Sequence, residues 1–270
     1  MMVMKLYEKD MYIAPINNVI NHYIREYDIS KANINILLYL GVIDKALYDE
    51  LYYAPKQIRQ IRIGYLQKDK KIAKALSDGF KYMRSQFFSM NNLSDKDILS
   101  IKKDAIYVID KIPNNTKISN DKNTVQFVCK NTYTSWYRIN NIEFYYLLDK
   151  ANNIENLDIK GISDNMIALH QNYMLRLLRY LFNLASYNRF DEACITIKGF
   201  TNSLLSGNED MNYFRELNNM SMYKTRYVID NGYNYLSAIN QFINYKELDP
   251  SHNINILLEL AKIYSYYLLR

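Results

Sequence analysis

The stretch Tyr23-Ile-Arg-Glu-Tyr-Asp28-Ile-Ser-Lys-Ala-Asn33 decides the fold. Residues 18–29 carry the β-branched and aromatic content of a strand, and the strand ends at an aspartate. Ser30 then offers an N-cap for a helix through about Tyr39, with Ala32, Leu37 and Leu38 inward and Gly41 placed to stop it. A second segment repeats the theme: in Ile98-Leu-Ser-Ile-Lys102-Lys103-Asp104-Ala-Ile-Tyr-Val-Ile109 two apolar runs flank a tight corner holding Asp104. Between the two aspartates lies a basic helical stretch, Lys56-Gln-Ile-Arg59-Gln-Ile-Arg62-Ile-Gly64. Carboxylate, cation and carboxylate on three different elements form a pattern that can hold a divalent metal and the phosphates of a nucleotide.

Working outward, Asp44 is positioned to cap a short helix over Lys45–Tyr53, and Pro55 to start the next. From Lys56 to about Asn91 the pattern is helical, with Ile58, Ile61, Tyr65, Ile72, Ala75, Leu76, Phe80 and Met83 as the apolar positions at three- and four-residue spacing. Residues 98–148 read as a β-meander, with further strands at Thr124–Cys129, Tyr133–Ile139 and Glu143–Leu148. After Asn156 the pattern is helical only, at roughly 163–187, 189–204, 209–220, 222–245 and 251–269. The expected fold is α+β: an antiparallel sheet with flanking helices over 1–158, then an all-helical region over 159–270.

The 270 residues suffice for one large or two modest domains. No apolar run approaches the roughly 20 residues that cross a bilayer, and the N-terminus lacks a signal-peptide pattern, so the expectation is a cytoplasmic protein with no membrane partner. Cys129 and Cys194 match no metal spacing, and the scattered His22, His170 and His252 give zinc no support. Basic residues number 34 and acidic 28, a mild excess that favours an anionic partner. The 27 tyrosines accompany abundant Asn, Ile and Lys, the residues of AT-rich codons, so tyrosine content alone does not signal base stacking.

Phosphoryl and nucleotidyl transfer require in-line positioning and charge neutralisation, commonly by two metal ions about 4 Å apart. Magnesium takes hard oxygen ligands and retains waters, so two carboxylates on rigid strand ends can suffice, and Lys56, Arg59 and Arg62, three residues apart, can meet a triphosphate. Each feature also has a plainer reading. Asp28 can be a helix-start cap, Asp104 a turn residue, the α-helical cations a solvated face, and Trp136 a half-buried packing anchor.

In order and local context these residues resemble the palm of family B DNA polymerases. Asp28-Ile-Ser-Lys-Ala-Asn-Ile resembles motif A, Lys56 through Gly64 motif B, and Ile98–Ile109 the strand-turn-strand of motif C. Lys130-Asn-Thr-Tyr133 resembles the lysine–tyrosine element that touches the primer duplex. The resemblance implies a palm with reduced fingers (about 41–90), a thumb-like helical region, and nucleotide addition to a primer 3′-hydroxyl in phage or mobile-element replication. It implies Asp28 and Asp104 as ligands of Mg²⁺ or Mn²⁺ and Lys56 as a catalytic cation. Lys56, Arg59, Arg62, Gly64 and Asn33 would contact a nucleoside triphosphate, and Lys102, Lys130 and Tyr133 would contact primer-template DNA. A partner polymerase subunit is a further implied partner. The chain departs from the pattern where Lys102 replaces the first motif C aspartate and Asn33 the sugar-selecting tyrosine. Those departures suit a non-catalytic, palm-derived nucleic-acid-binding or replication-complex subunit.

Overall fold

The computed structural model describes residues 5–139, 142–148, 150, 154–160 and 171–205. The chain is α+β, with antiparallel strand pairs and flanking helices. It packs as two units: residues 1–15 with 22–133, and residues 16–21 with 134–270. The expected boundary at residue 158 falls inside a strand, Ile154–Lys160.

In the first unit, β1 (Met11–Ile13) leads to the long β2 (Asn18–Ile29), whose latter part belongs here. Four helices follow: α1 (Ala32–Tyr39), α2 (Lys45–Tyr53), α3 (Lys56–Leu66) and α4 (Lys70–Met90). A tight hairpin, β3 (Ile98–Lys102) and β4 (Ala105–Ile109), precedes β5 (Lys117–Ser119) and β6 (Thr124–Ile139). The strand order is β1-β3-β4-β2-β6, with β5 on β6. β2 is therefore inserted between β4 and β6, and residues 98–148 are not the simple meander that the sequence suggests. The insertion follows from burial: Tyr27 and Ile29 of β2 share one apolar cluster with Ile106 and Val108 of β4 and with Val125 and Phe127 of β6. The central position covers both edges of β2.

The same cluster takes Ile34, Ile36 and Leu37 from α1 and Leu76, Phe80, Met83 and Phe87 from α4. Helix α4 crosses α1 at Gly79, where an added Cβ would lie 2.9 Å from Leu40 Cδ1 and closer still to Ile36 Cγ2. Only a residue without a side chain permits that approach.

Local signals resolve in mixed ways. Asp44 caps α2, accepting from the Leu47 amide at 2.8 Å, and Gly41, at φ +68°, ends α1. Ser30 does not cap α1. The N-cap is Lys31, left-handed at φ 50°, because the chain must turn sharply from strand to helix, and the Ser30 carbonyl accepts from the Asn35 side chain. The helical run from Lys56 is broken at Gln67–Asp69, where Asp69 caps α4 by accepting from the Lys71 amide. Ile58, Ile61 and Tyr65, three of the apolar positions in that pattern, are exposed, and α3 buries Ile63 instead.

In the second unit, the start of β2 and the end of β6 are followed by β7 (Ile142–Leu148), β8 (Ile154–Lys160), α5 (Gln171–Ser186) and α6 (Phe190–Leu205). β6, β7 and β8 pair antiparallel in sequence order, and β8 is a strand that the sequence pattern does not mark. Phe182 of α5 sits at 4.9 Å from the Tyr137 ring, 5.1 Å from Tyr146 and 5.6 Å from Phe144, anchoring α5 on this sheet. Trp136 is fully buried rather than half-buried, its indole donating to Glu143 Oε2 at 3.3 Å. The expected helices at 209–220, 222–245 and 251–269 lie outside the described residues.

Gly79→Ala is expected to lower stability by about 1–2 kcal/mol, because overpacking outweighs the roughly 1 kcal/mol gained in helix propensity. A urea midpoint that does not fall would contradict the close crossing.

Candidate functional site

β2 alternates its side chains between the two faces of the sheet, so Ile24, Glu26 and Asp28 share the face opposite Tyr27 and Ile29. Glu26 is buried, and a buried carboxylate needs donors. Three supply it: the Tyr107 hydroxyl donates to Oε1 at 3.0 Å, and Asn131 Nδ2 at 2.6 Å and the Tyr133 hydroxyl at 3.2 Å donate to Oε2. Tyr107 comes from β4 and the other two from β6, so Glu26 is held from both neighbouring strands.

Asp28, two residues on, has a side chain only 13% exposed. Its Oδ2 takes the ammonium of Lys130 from β6, while its Oδ1 is buried with no hydrogen-bond partner. Asp28 is not the cap of α1, whose N-cap is Lys31.

Asp104 lies at the β3–β4 corner beside Lys103, which is left-handed at φ 57°. In the β2–β4 register Tyr27 faces Ile106, and one further step sets Asp28 against Ala105, the residue next to Asp104. The two aspartates, distant in sequence, thus stand at the same end of the sheet. Burial pushes the Asp104 carboxyl above its ordinary 3.8, outweighing its backbone hydrogen bond and the cations Lys103 and Arg84. Lys102, at the end of β3, pairs with Met11 of β1 and Ala105 of β4, so it shares this end.

Beneath the corner, Arg84 of α4 is wholly buried and donates to the Tyr7 carbonyl at 2.8 Å, the Lys103 carbonyl at 2.5 Å and Asp10 Oδ1 at 2.8 Å. Burial lowers its affinity for the proton, and Asp10 counteracts that. The planar guanidinium fastens the corner to the N-terminal segment.

The helical cations are engaged elsewhere. Arg62 pairs with Glu50 of α2, Arg59 donates to the Ala54 carbonyl at 3.2 Å, and Lys56 is exposed at the start of α3. Gly64 lies within α3 with open space around it. Asn33 occupies the first turn of α1, partly exposed. None of these residues is hydrogen-bonded or ion-paired to either aspartate among the described residues. Tyr133 is fully buried with its hydroxyl on Glu26, so its ring offers no face to a base.

Among the described residues, no group of three or more His, Cys, Asp or Glu side chains is arranged to hold a metal ion. A magnesium ion at Asp28 and Asp104 would have to displace Lys130 and complete its shell with water or substrate phosphates. Glu26, Tyr107, Asn131 and Arg84 were not singled out from the sequence. A usable signal existed for Glu26, a carboxylate in phase with the apolar Ile24 in the middle of a strand.

The fold and site together define an α+β protein with antiparallel strand pairs whose buried carboxylates are met by donors of the protein itself. The chain belongs to the Bacteriophage PBS1 gene 130 protein family, whose model matches residues 2–265. No curated protein matches it.

Two outcomes are expected here. Lys130→Met should cost about 1–2 kcal/mol by leaving Asp28 uncompensated, and adding Asp28→Asn should recover part of it, as measured by a double-mutant cycle in urea. A raised carboxyl favours the folded state in its protonated form, a contribution present below the ordinary value of 3.8 and lost as pH rises through the folded value. Asp104→Asn should therefore stabilise the protein at pH 8 but not at pH 3; an equal effect at both pH values would rule out desolvation as the cause.

Proposed function

We propose that the chain is a non-catalytic, palm-derived subunit that binds nucleic acid within a phage replication complex. The observation that carries this reading is the Asp28–Lys130 ion pair: the carboxylate at the motif A-like strand end already has its counter-charge. Two features agree with it. Lys102 stands where the resemblance implies an acid, and burial favours the protonated form of Asp104. The strand order β3-β4-β2-β6, with one aspartate ending β2 and the other at the neighbouring corner, supports the palm reading. α2 and α3 then correspond to reduced fingers, and α5 and α6 to the start of a thumb-like region. Lys102, at the same end of the sheet, is the cation that would meet a phosphate backbone.

The second reading is a nucleotidyltransferase that extends a primer 3′-hydroxyl. The β2–β4 register favours it, since it brings Asp28 beside the Asp104 corner. Asp28 and Asp104 would then hold Mg²⁺ or Mn²⁺, and Lys56 with Arg59, Arg62, Gly64 and Asn33 would meet a nucleoside triphosphate. Metal would supply charge neutralisation at the transferring phosphate.

The expected result with fluorescent primer-template DNA is salt-dependent binding, with a log–log slope of about 0.9 per phosphate contacted. Lys102→Glu should weaken it, and no primer extension should occur with Mg²⁺ or Mn²⁺. Extension that disappears in Asp28→Asn would overturn the first reading in favour of the second; absence of DNA binding would remove both.

A further inference from the structure

Helix α3 has two apolar sides. At about 100° per residue, Ile58, Ile61 and Tyr65 fall in a strip roughly 60° wide, about 170° round the helix from Ile63. Ile63 is buried in the core of its unit, whereas Ile58 is 48% exposed, Ile61 59% and Tyr65 62%. Tyr53, two residues before Pro55, is 82% exposed. The spacing of the exposed strip, three residues and then four, is that of a helix seam rather than of scattered surface residues.

The edges of the strip are informative. Gln57 and Gly64 border one side and Arg62 the other. Gly64 costs α3 roughly 1 kcal/mol relative to alanine, yet among the described residues nothing lies within 4 Å of where its Cβ would be. Its smooth surface therefore answers to no packing need among those residues.

Charge adds a second, independent observation. Residues 56–74 contain seven cations (Lys56, Arg59, Arg62, Lys68, Lys70, Lys71 and Lys74) and one acid, Asp69. Their net of +6 equals the net of the whole chain, so the remaining residues balance at 27 basic and 27 acidic. The excess charge is not spread evenly along the sequence; it is concentrated in α3 and the start of α4, with Arg62 and Lys68 next to the exposed strip.

We infer that the Ile58–Ile61–Tyr65 strip of α3 docks an acidic amphipathic helix of a partner protein. Apolar side chains of that helix would cover the strip, and its flanking carboxylates would meet Lys68, whose ammonium lies 4.3 Å from the Tyr65 ring, and Arg62 at the strip's edge. A second copy of this chain would set the same excess of positive charge against itself. Nucleic acid gains little from two isoleucines, which have no ring to stack on a base. A strip this narrow suits one helix better than the broad apolar face by which helices lie on lipid. The inference stands on α3 alone and does not depend on what the sheet of the first unit binds.

The test uses the full chain and a synthetic helix with leucines at three- and four-residue spacing and glutamates elsewhere, with a twin carrying lysines in place of the glutamates. Fluorescence anisotropy should show saturable binding of the acidic helix that weakens with salt, and binding of the twin at least about tenfold weaker. Ile61→Ser should leave the melting temperature unchanged and weaken binding of the acidic helix by about tenfold or more, as expected for losing one buried isoleucine. Ile112→Ser, a change at an isoleucine 62% exposed elsewhere, should have no effect. Equal binding of the twin, or no binding of the acidic helix, would overturn the inference. So would phosphatidylglycerol vesicles that bind where the peptide does not, or a dimer that Ile61→Ser dissolves.

Discussion

Removing a carboxylate from water demands that something replace its hydration, and β2 imposes this demand twice within three residues. Glu26 is answered by three neutral donors and Asp28 by one ammonium, all from the strands on either side. The order β4-β2-β6 is thus enforced from both faces. On one face Tyr27 and Ile29 join the apolar cluster; on the other, two acids would be stranded if β4 or β6 were displaced. The register that places Asp28 beside the Asp104 corner follows from that arrangement.

The second unit applies the same rule with different chemistry. Glu143 is buried on β7, and its Oε2 accepts from the Trp136 indole at 3.3 Å and the Tyr145 hydroxyl at 2.6 Å. Tyrosine recurs as the answering group because its ring is apolar enough to bury and its hydroxyl can reach a partner. The many tyrosines of this chain, whatever coding bias supplied them, are therefore used as buried donors at Tyr107, Tyr133 and Tyr145. Compensation from within also bears on chemistry: an acid that already has its ammonium or its hydroxyls presents less charge to an incoming cation.

α3 stands apart from this economy. Its cations are balanced only in part, by Glu50 and the Ala54 carbonyl, and its second apolar side is left exposed by the described residues of its own unit. The sheet satisfies its charges internally, whereas this helix carries its surplus outward. That contrast separates the scaffold of the first unit from the part most suited to meeting another molecule.

Local features were legible in the residues themselves. The strand ending near Asp28, the corner at Asp104, the cap at Asp44 and the stop at Gly41 each depend on a few neighbouring side chains. Strands β1, β5 and β8 were not legible, since each is short or polar and is made a strand by its partner. The inward side of α3 was not legible because two apolar sides lie on one helix, and periodicity alone does not say which is covered. The sequence by itself determined where the chain turns, caps and stops, and that an acid ends β2. Only the tertiary structure decided that Lys130, 102 residues away, would neutralise that acid and that β2 would lie between β4 and β6. The physical reason is that turns and caps are settled within a few residues, while charge compensation depends on which distant strands come to lie side by side.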